Sequence, residues 1–418
     1  MLKYELGWYS VNGVKYTNKM LAIMDAQRTN STVEWYFFDD IFQKVNWTVE
    51  PTETLPELYK KRALQIREQY DYVILMVSGG ADSTNMLYSF LHNNILVDEV
   101  VAEIPLSGMS NWEWDNKDMS SVNTASEYKL AQLPLMHEIA TKYPTVKTTL
   151  IDPFTKMINP KPGEWLVDCQ DLVNAYTGHR GRMDDQPHVM KLVEEGKRVA
   201  VVMGTDKPVV VEQGGCLFNM FVDLPINLPK QSTREGHDNI NRVLFYWTPE
   251  MPELVVKMSH VAARAMCLPQ NKFIYDAMIK LRRMGKDKED QNLSADETLK
   301  MILQSYDKDY RPIKNNKYSA LTVYQRGIVP YIYPTTYDPK LWQAMKPDCG
   351  QPFLSDNQDW FRVLHNTSRA MQIIESDFSM MYKSIKPQYL NGNKTGFIQF
   401  LKPYSMGLVS NFKTNTNI

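Results

Sequence analysis

Four short stretches dominate the first half of the chain: YVILMV at 72–77, VDEVVAEIPL at 97–106, VKTTLIDP at 146–153 and RVAVVMGTD at 198–206. The first is apolar throughout and bounded by turn residues, the pattern of a strand buried on both faces. Helical segments separate the stretches. LYKKRALQIREQY (58–70) precedes the first; Met86, Leu87, Phe90 and Leu91 follow it at helical spacing; EYKLAQLPLMHEIATKY (127–143) carries the next helix, with Pro134 as a break. Strand alternating with helix commits the chain to an α/β fold, a parallel twisted sheet with flanking helices, because parallel neighbours need long crossovers.

The flanks read differently. In GWYSVNGVKY (7–16), Asn12-Gly13 stands between alternating aromatic and β-branched positions, which predicts a hairpin with a type I′ turn. TVEPTETLPE (48–57) reads as a linker into the first helix. From about 250 the pattern turns helical, through TPEMPELVVKMSHVAARAM and NKFIYDAMIKLRRMGK, with a charged separator, GKDKEDQNLSADETLK, at 285–300. Residues 310–355 are rich in Tyr, Pro and Asn and read as irregular, 357–384 as helical, and 391–406 as a small hairpin. The expected organisation is a β-hairpin region over 1–57, an α/β domain over 58–248 and an α-rich domain over 249–418.

Composition narrows the function classes. A 418-residue chain that is 43% hydrophobic and 23% charged can bury a sizeable core. Its net charge of -1 offers no basic field for nucleic acid. Cys169, Cys216, Cys267 and Cys349 stand far apart without a CxxC, which argues against a cysteine metal site and for a reducing compartment. The N-terminus lacks a signal-peptide pattern, and no apolar run approaches the roughly 20 residues that span a bilayer. A cytoplasmic protein with no membrane partner is the expectation.

The chemistry concentrates in VSGGADST (77–84). Glycines after a strand let successive N–H groups face one concavity, and the start of the following helix adds partial positive charge, so the loop suits an anion. Ser78, Ser83 and Thr84 add hydroxyls, Ser83 or Thr84 is expected to cap the helix, and Asp82 falls near its positive end. A plain strand-to-helix turn would use the same residue types. The loop is neither GxxxxGK[ST] nor GxGxxG, which sets aside Walker and dinucleotide sites.

As a whole, SGGADS resembles the PP-loop, SGGxDS, of the N-type ATP pyrophosphatase superfamily, also described as adenine nucleotide alpha-hydrolase-like. That family includes NAD synthetase, GMP synthetase, asparagine synthetase and tRNA-lysidine synthetase. The likeness extends over about residues 60–225, and the lead-in 45–83 is similar to uncharacterised PP-loop proteins of tailed bacteriophages. The resemblance implies that Ser78, Gly79, Gly80, Ala81, Asp82, Ser83 and Thr84 hold the β,γ-pyrophosphate of ATP. A substrate oxygen attacks the α-phosphate, and a nitrogen or sulfur nucleophile then displaces AMP. It implies Mg2+, with Asp82 on the metal side. Gly204-Thr205-Asp206-Lys207 resembles the segment that faces pyrophosphate in NAD synthetase, which gives Lys207 a catalytic and Asp206 a metal role; a common turn is the bland reading. The family reads adenine near the end of its second strand, making Glu103 and Ile104 candidates beside the alternative of an ordinary strand end. Homodimers are common in it.

Other polar clusters stand on the residues alone. Arg180 and Arg182, in YTGHRGRMDD, suit a loop over phosphates as well as a solvated surface. Arg234, Glu235, His237 and Asp238 form a similar group, and Cys216 reads as packing more readily than as a nucleophile. Met1-Leu2 lacks the cysteine of glutamine-dependent asparagine synthetases, and Ala81 stands where PAPS reductases carry lysine. The expected activity is AMP-forming ATP pyrophosphatase chemistry of ligase, amidotransferase or thiolation type on an unidentified small-molecule or macromolecular substrate. A non-turning-over ATP or nucleotide binder (sensor, sequestering factor or assembly component) and a nucleic-acid base-modifying enzyme are the alternatives.

Overall fold

The computed structural model describes residues 7–16, 19–31, 34–42, 44–104, 128–152, 183, 186–204, 209–213, 216–220, 238–266, 268–271 and 328–340. The expected helices over 271–286 and 357–384, the charged separator and the C-terminal hairpin lie outside these residues.

Residues 7–16 form the hairpin the sequence predicts. β1 (Trp8–Val11) and β2 (Val14–Tyr16) pair antiparallel, and Asn12 and Gly13 turn the chain at φ of 50° and 82°. Both values are positive, as a type I′ turn requires. After α1 (Lys19–Thr29), β3 (Glu34–Tyr36) adds to the other edge of β1, a strand that three residues of sequence do not announce. The short α2 (Asp39–Phe42) follows.

The next helix, α3 (Leu55–Gln69), starts earlier than the linker reading allows. Thr54 accepts from the Glu57 N–H while the Glu57 carboxylate accepts from the Thr54 N–H, and proline occupies the first turn. This reciprocal cap fixes the helix start ahead of the apolar periodicity.

Five parallel strands make the central sheet: β4 (Tyr72–Met76), β5 (Glu99–Glu103), β6 (Lys147–Ile151), β7 (Val199–Met203) and β10 (Ile240–Leu244). Their order across the sheet is β10-β7-β4-β5-β6. Three helices cross between these strands: α4 (Ala81–Leu91), α5 (Leu133–Lys142), which continues a π turn over Tyr128–Gln132, and α6 (Pro187–Glu194). An antiparallel pair, β8 (Val209–Gln213) and β9 (Cys216–Met220), separates β7 from β10.

Strand alternation divides the buried residues between two faces. Val73, Leu75, Val100, Ala102, Ala200, Val202 and Val243 join the larger core with α3, α4 and α5. Ile74, Val101, Val199, Val201 and Ile240 meet α6 through Val189, Met190 and Val193. The fold is therefore α/β with helices on both faces, as expected. α7 (Pro252–Met266) and α8 (Val329–Ile332) pack into the larger core too, so one core runs across position 249. Among the described residues no helix is long and apolar enough to cross a membrane.

Candidate functional site

The strand order contains a reversal. The chain runs β4, β5, β6 towards one edge and then returns to place β7 and β10 on the other side of β4. The loops leaving β4 and β7 start at the carboxyl ends of adjacent strands, the region where open parallel sheets bind ligands. Met76 and Met203 are register partners, so residues 77–80 and Gly204 leave the sheet side by side.

Glycine is required in both loops. Gly79 has φ of +77°, and a Cβ there would stand 2.7 Å from the Gln132 N and 2.8 Å from the Ala131 Cβ. At Gly204 a Cβ would stand 3.0 Å from the Asp82 O and from the Ser83 N and Cα. Of the GTDK segment, Gly204 is described, and it meets the SGGADS loop at this contact. Thr205, Asp206 and Lys207 lie outside the described residues, as do Arg180, Arg182, Arg234, Glu235 and His237.

Within the loop, Ser83 is a brace. Its Oγ donates to the Gly80 O at 3.1 Å, accepts from the Ser78 N–H at 3.1 Å and stands 3.2 Å from the Ser78 Oγ. The expected serine or threonine cap is corrected: the N-cap is Gly80, and no side chain caps α4. Ser83 and Thr84 stand three and four residues past the N-cap, inside the helix and too late for capping. Below the loop, the Val77 N–H donates to the Val101 O at 2.8 Å, and the Val77 O accepts from the Gln132 Nε2 at 2.6 Å. Ser78 is exposed, and Gly80, Ala81, Asp82 and Thr84 are partly so.

Asp82 is held from a direction the sequence does not reveal. The Tyr333 hydroxyl donates to its Oδ1 at 2.6 Å, and the Tyr246 hydroxyl donates to its backbone O at 2.8 Å. Tyr246 in turn accepts from the Asn85 Nδ2 at 3.0 Å. Burial, followed by the Asp82 charge, pushes the Tyr246 and Tyr333 phenols well above their ordinary range, so both remain donors. Tyr246 follows β10 directly, and the exit of that strand is fastened by Arg62 on α3. The fully buried guanidinium donates to the Leu244 and Phe245 carbonyls at 2.9 and 3.3 Å and pairs with Glu250 at 2.7 Å. Arg62 did carry a signal: it lies on the face that α3 buries with Leu58, Tyr59 and Ile66. For Tyr333 no local signal exists.

A cavity of about 310 Å³ opens beside the loop, lined by Gly79, Ala81 and Thr84, by Tyr88 on α4, by Pro134 and Glu138 on α5, and by residues 336–338. At the second strand, Glu103 is partly exposed and Ile104 fully buried. The Ile104 N–H donates to the Ile151 O at 2.9 Å, which commits that group to the sheet. Cys216 opens β9 opposite Gln213.

The residues present fit a polyphosphate. The glycine loop, whose Gly79 packs closely on residues 131–132, leads into a helix whose first turn no side chain caps, at the sheet's reversal point. Among the described residues no group of three His, Cys, Asp or Glu could hold a metal by itself. A magnesium ion that accompanies polyphosphate takes most of its ligands from phosphate and water and one or two from carboxylates, and Asp82 is the carboxylate of the loop. Compared with known proteins, the chain matches no family model, no curated protein and no solved structure.

Proposed function

We propose that the chain is an AMP-forming, PP-loop type ATP pyrophosphatase that adenylates a carbonyl or carboxylate for attack by a nitrogen or sulfur nucleophile. The observation that carries this reading is the contact of Gly204 with Asp82 and Ser83 at the reversal of the sheet. Gly204, at the start of a segment that resembles a pyrophosphate-facing part of the same family, follows the strand next to β4 and touches the loop.

The loop's part is to hold the leaving group. N–H groups in the first turn of α4 and the Ser78 hydroxyl, whose oxygen accepts from the Gly80 N–H at 3.3 Å, receive the β,γ-phosphates, aimed at charge that grows as pyrophosphate departs. When bound, Mg2+ supplies further neutralisation of that charge. Asp82 supports the ion with its carboxylate, Asp206 adds a second, and Lys207 contributes the positive charge the first loop lacks. Arg180 and Arg182 cover the phosphates, and Glu103 receives the base, the Ile104 N–H being committed to the Ile151 carbonyl. The substrate oxygen bonds to the α-phosphorus as the α–β bridge breaks, and the α-rich C-terminal part selects that substrate.

The test is incubation of the protein with Mg2+ and α-labelled ATP, first with cell metabolites and then with nucleic acid. AMP, pyrophosphate and a labelled adduct support the proposal. ADP and phosphate overturn it, and tight ATP binding without turnover would make the chain a nucleotide sensor.

A further inference from the structure

The short segment carrying α8 reaches the loop from about 250 positions away and is fastened there at three points. The Tyr59 hydroxyl donates to the Ile332 O at 2.6 Å, the Tyr333 hydroxyl to the Asp82 Oδ1 at 2.6 Å, and the Thr336 Oγ1 to the Asn85 Oδ1 at 2.8 Å. The Tyr59 and Tyr246 rings pack on Tyr333 at centroid distances of 6.2 and 5.6 Å. Tyr333 is fully buried, yet its hydroxyl is spent on a partly exposed carboxylate in the first turn of α4.

We propose that Tyr333 is a positioning residue that fixes the Asp82 carboxylate for a polyphosphate-bound Mg2+, making the 328–338 segment part of the nucleotide site. The inference rests on the reading of the loop as an ATP site. A carboxylate in an exposed first turn has several rotamers, and a charge-assisted hydrogen bond selects one. A phenol is the suitable donor. Lysine or arginine at the same place would cancel the charge a cation needs, whereas tyrosine orients the group and leaves its charge intact. Tyr246, on the Asp82 backbone O, holds the same turn from the other side of the ring cluster.

Tyr333→Phe keeps the ring and removes one oxygen. With a non-hydrolysable ATP analogue, calorimetric titration should show the Mg2+-dependent part of the affinity reduced about tenfold or more, the size expected when a ligand's orienting partner is lost. Affinity for the metal-free analogue should stay within about twofold. In the unliganded protein, Tyr333→Phe, Asp82→Ala and the double variant should give non-additive urea midpoints, the double variant no less stable than Asp82→Ala alone. Equal loss of affinity with and without Mg2+, or additive midpoints, overturns the proposal. A wild-type protein that binds no ATP defeats the underlying reading of the loop, and the unfolding cycle then decides separately whether Tyr333 holds Asp82.

Discussion

Replacing Gly79 by alanine perturbs the site through two separable effects. The first is backbone strain: at φ of +77° an L-residue costs about 1–2 kcal/mol. The second is overlap, because the new Cβ would meet Gln132 N at 2.7 Å, Ala131 Cβ at 2.8 Å and Ala131 C at 2.9 Å. Ordinary contact begins at 3.4 Å, so the π turn would have to retreat by roughly 0.7 Å and slacken the Gln132–Val77 hydrogen bond. Overpacking of this kind costs about 1–3 kcal/mol, for a total of about 2–5 kcal/mol. Gly196 supplies the control, with φ of +80° and nothing within 4 Å, so that Gly196→Ala carries the strain alone. Urea unfolding followed by tryptophan fluorescence reads the difference, since Trp47 and Trp247 are fully buried in the core. Gly79→Ala should be less stable than Gly196→Ala by about 1–3 kcal/mol. Equal destabilisation would refute the claim that the loop is wedged against residues 131–132.

Arg62→Met should destabilise by about 3–5 kcal/mol in the same assay, because it leaves Glu250 and two carbonyls without their donor, and adding Glu250→Gln should recover part of the loss. Burial holds the His260 imidazole below its usual value of 6.5, against the opposing pull of the Trp47 carbonyl and Glu50. The unfolded chain then binds the proton first, so stability present above pH 6.5 should decline as pH falls below it, and His260→Gln should flatten that limb of a stability–pH profile. Glu50 is raised by burial but lowered more by hydrogen bonds from Arg264 and Lys257, so its contribution should disappear at lower pH, below the usual 4.5, and Glu50→Gln should show it in the same profile. Asp82→Asn should abolish AMP formation with the circular-dichroism spectrum unchanged; retained activity would remove Asp82 from the mechanism.

The sheet was readable because its central strands, β4 and β7, are apolar on both faces and its crossovers periodic. YVILMV, VDEVVAEIPL, VKTTLIDP and RVAVVMGTD each contain a parallel strand. The fifth strand escaped notice because INRVL mixes Asn241 and Arg242 with apolar residues at the sheet's edge. Thr54 and Glu57 carry a legible capping signature that marks the start of α3. The loop was legible for a different reason: glycine pairs and hydroxyls there answer to local backbone geometry. Tyr333 was not, since its partner Asp82 is 251 positions distant and nothing in VPYIYP reports a tertiary hydrogen bond. Tyr246 escaped in the same way, its apolar neighbours giving it the look of core alone.

The central claim is that the loops after β4 and β7 together hold the pyrophosphate half of ATP. Competition calorimetry with ATP, AMP and inorganic pyrophosphate, on wild type and on Gly204→Ala, tests it most directly. Gly204→Ala changes no charge and places one methyl group 3.0 Å from the Asp82–Ser83 backbone. The account predicts that pyrophosphate displaces ATP, that AMP binds more weakly than either, and that Gly204→Ala weakens ATP and pyrophosphate together. ATP binding that pyrophosphate does not displace and that Gly204→Ala leaves unchanged would contradict it.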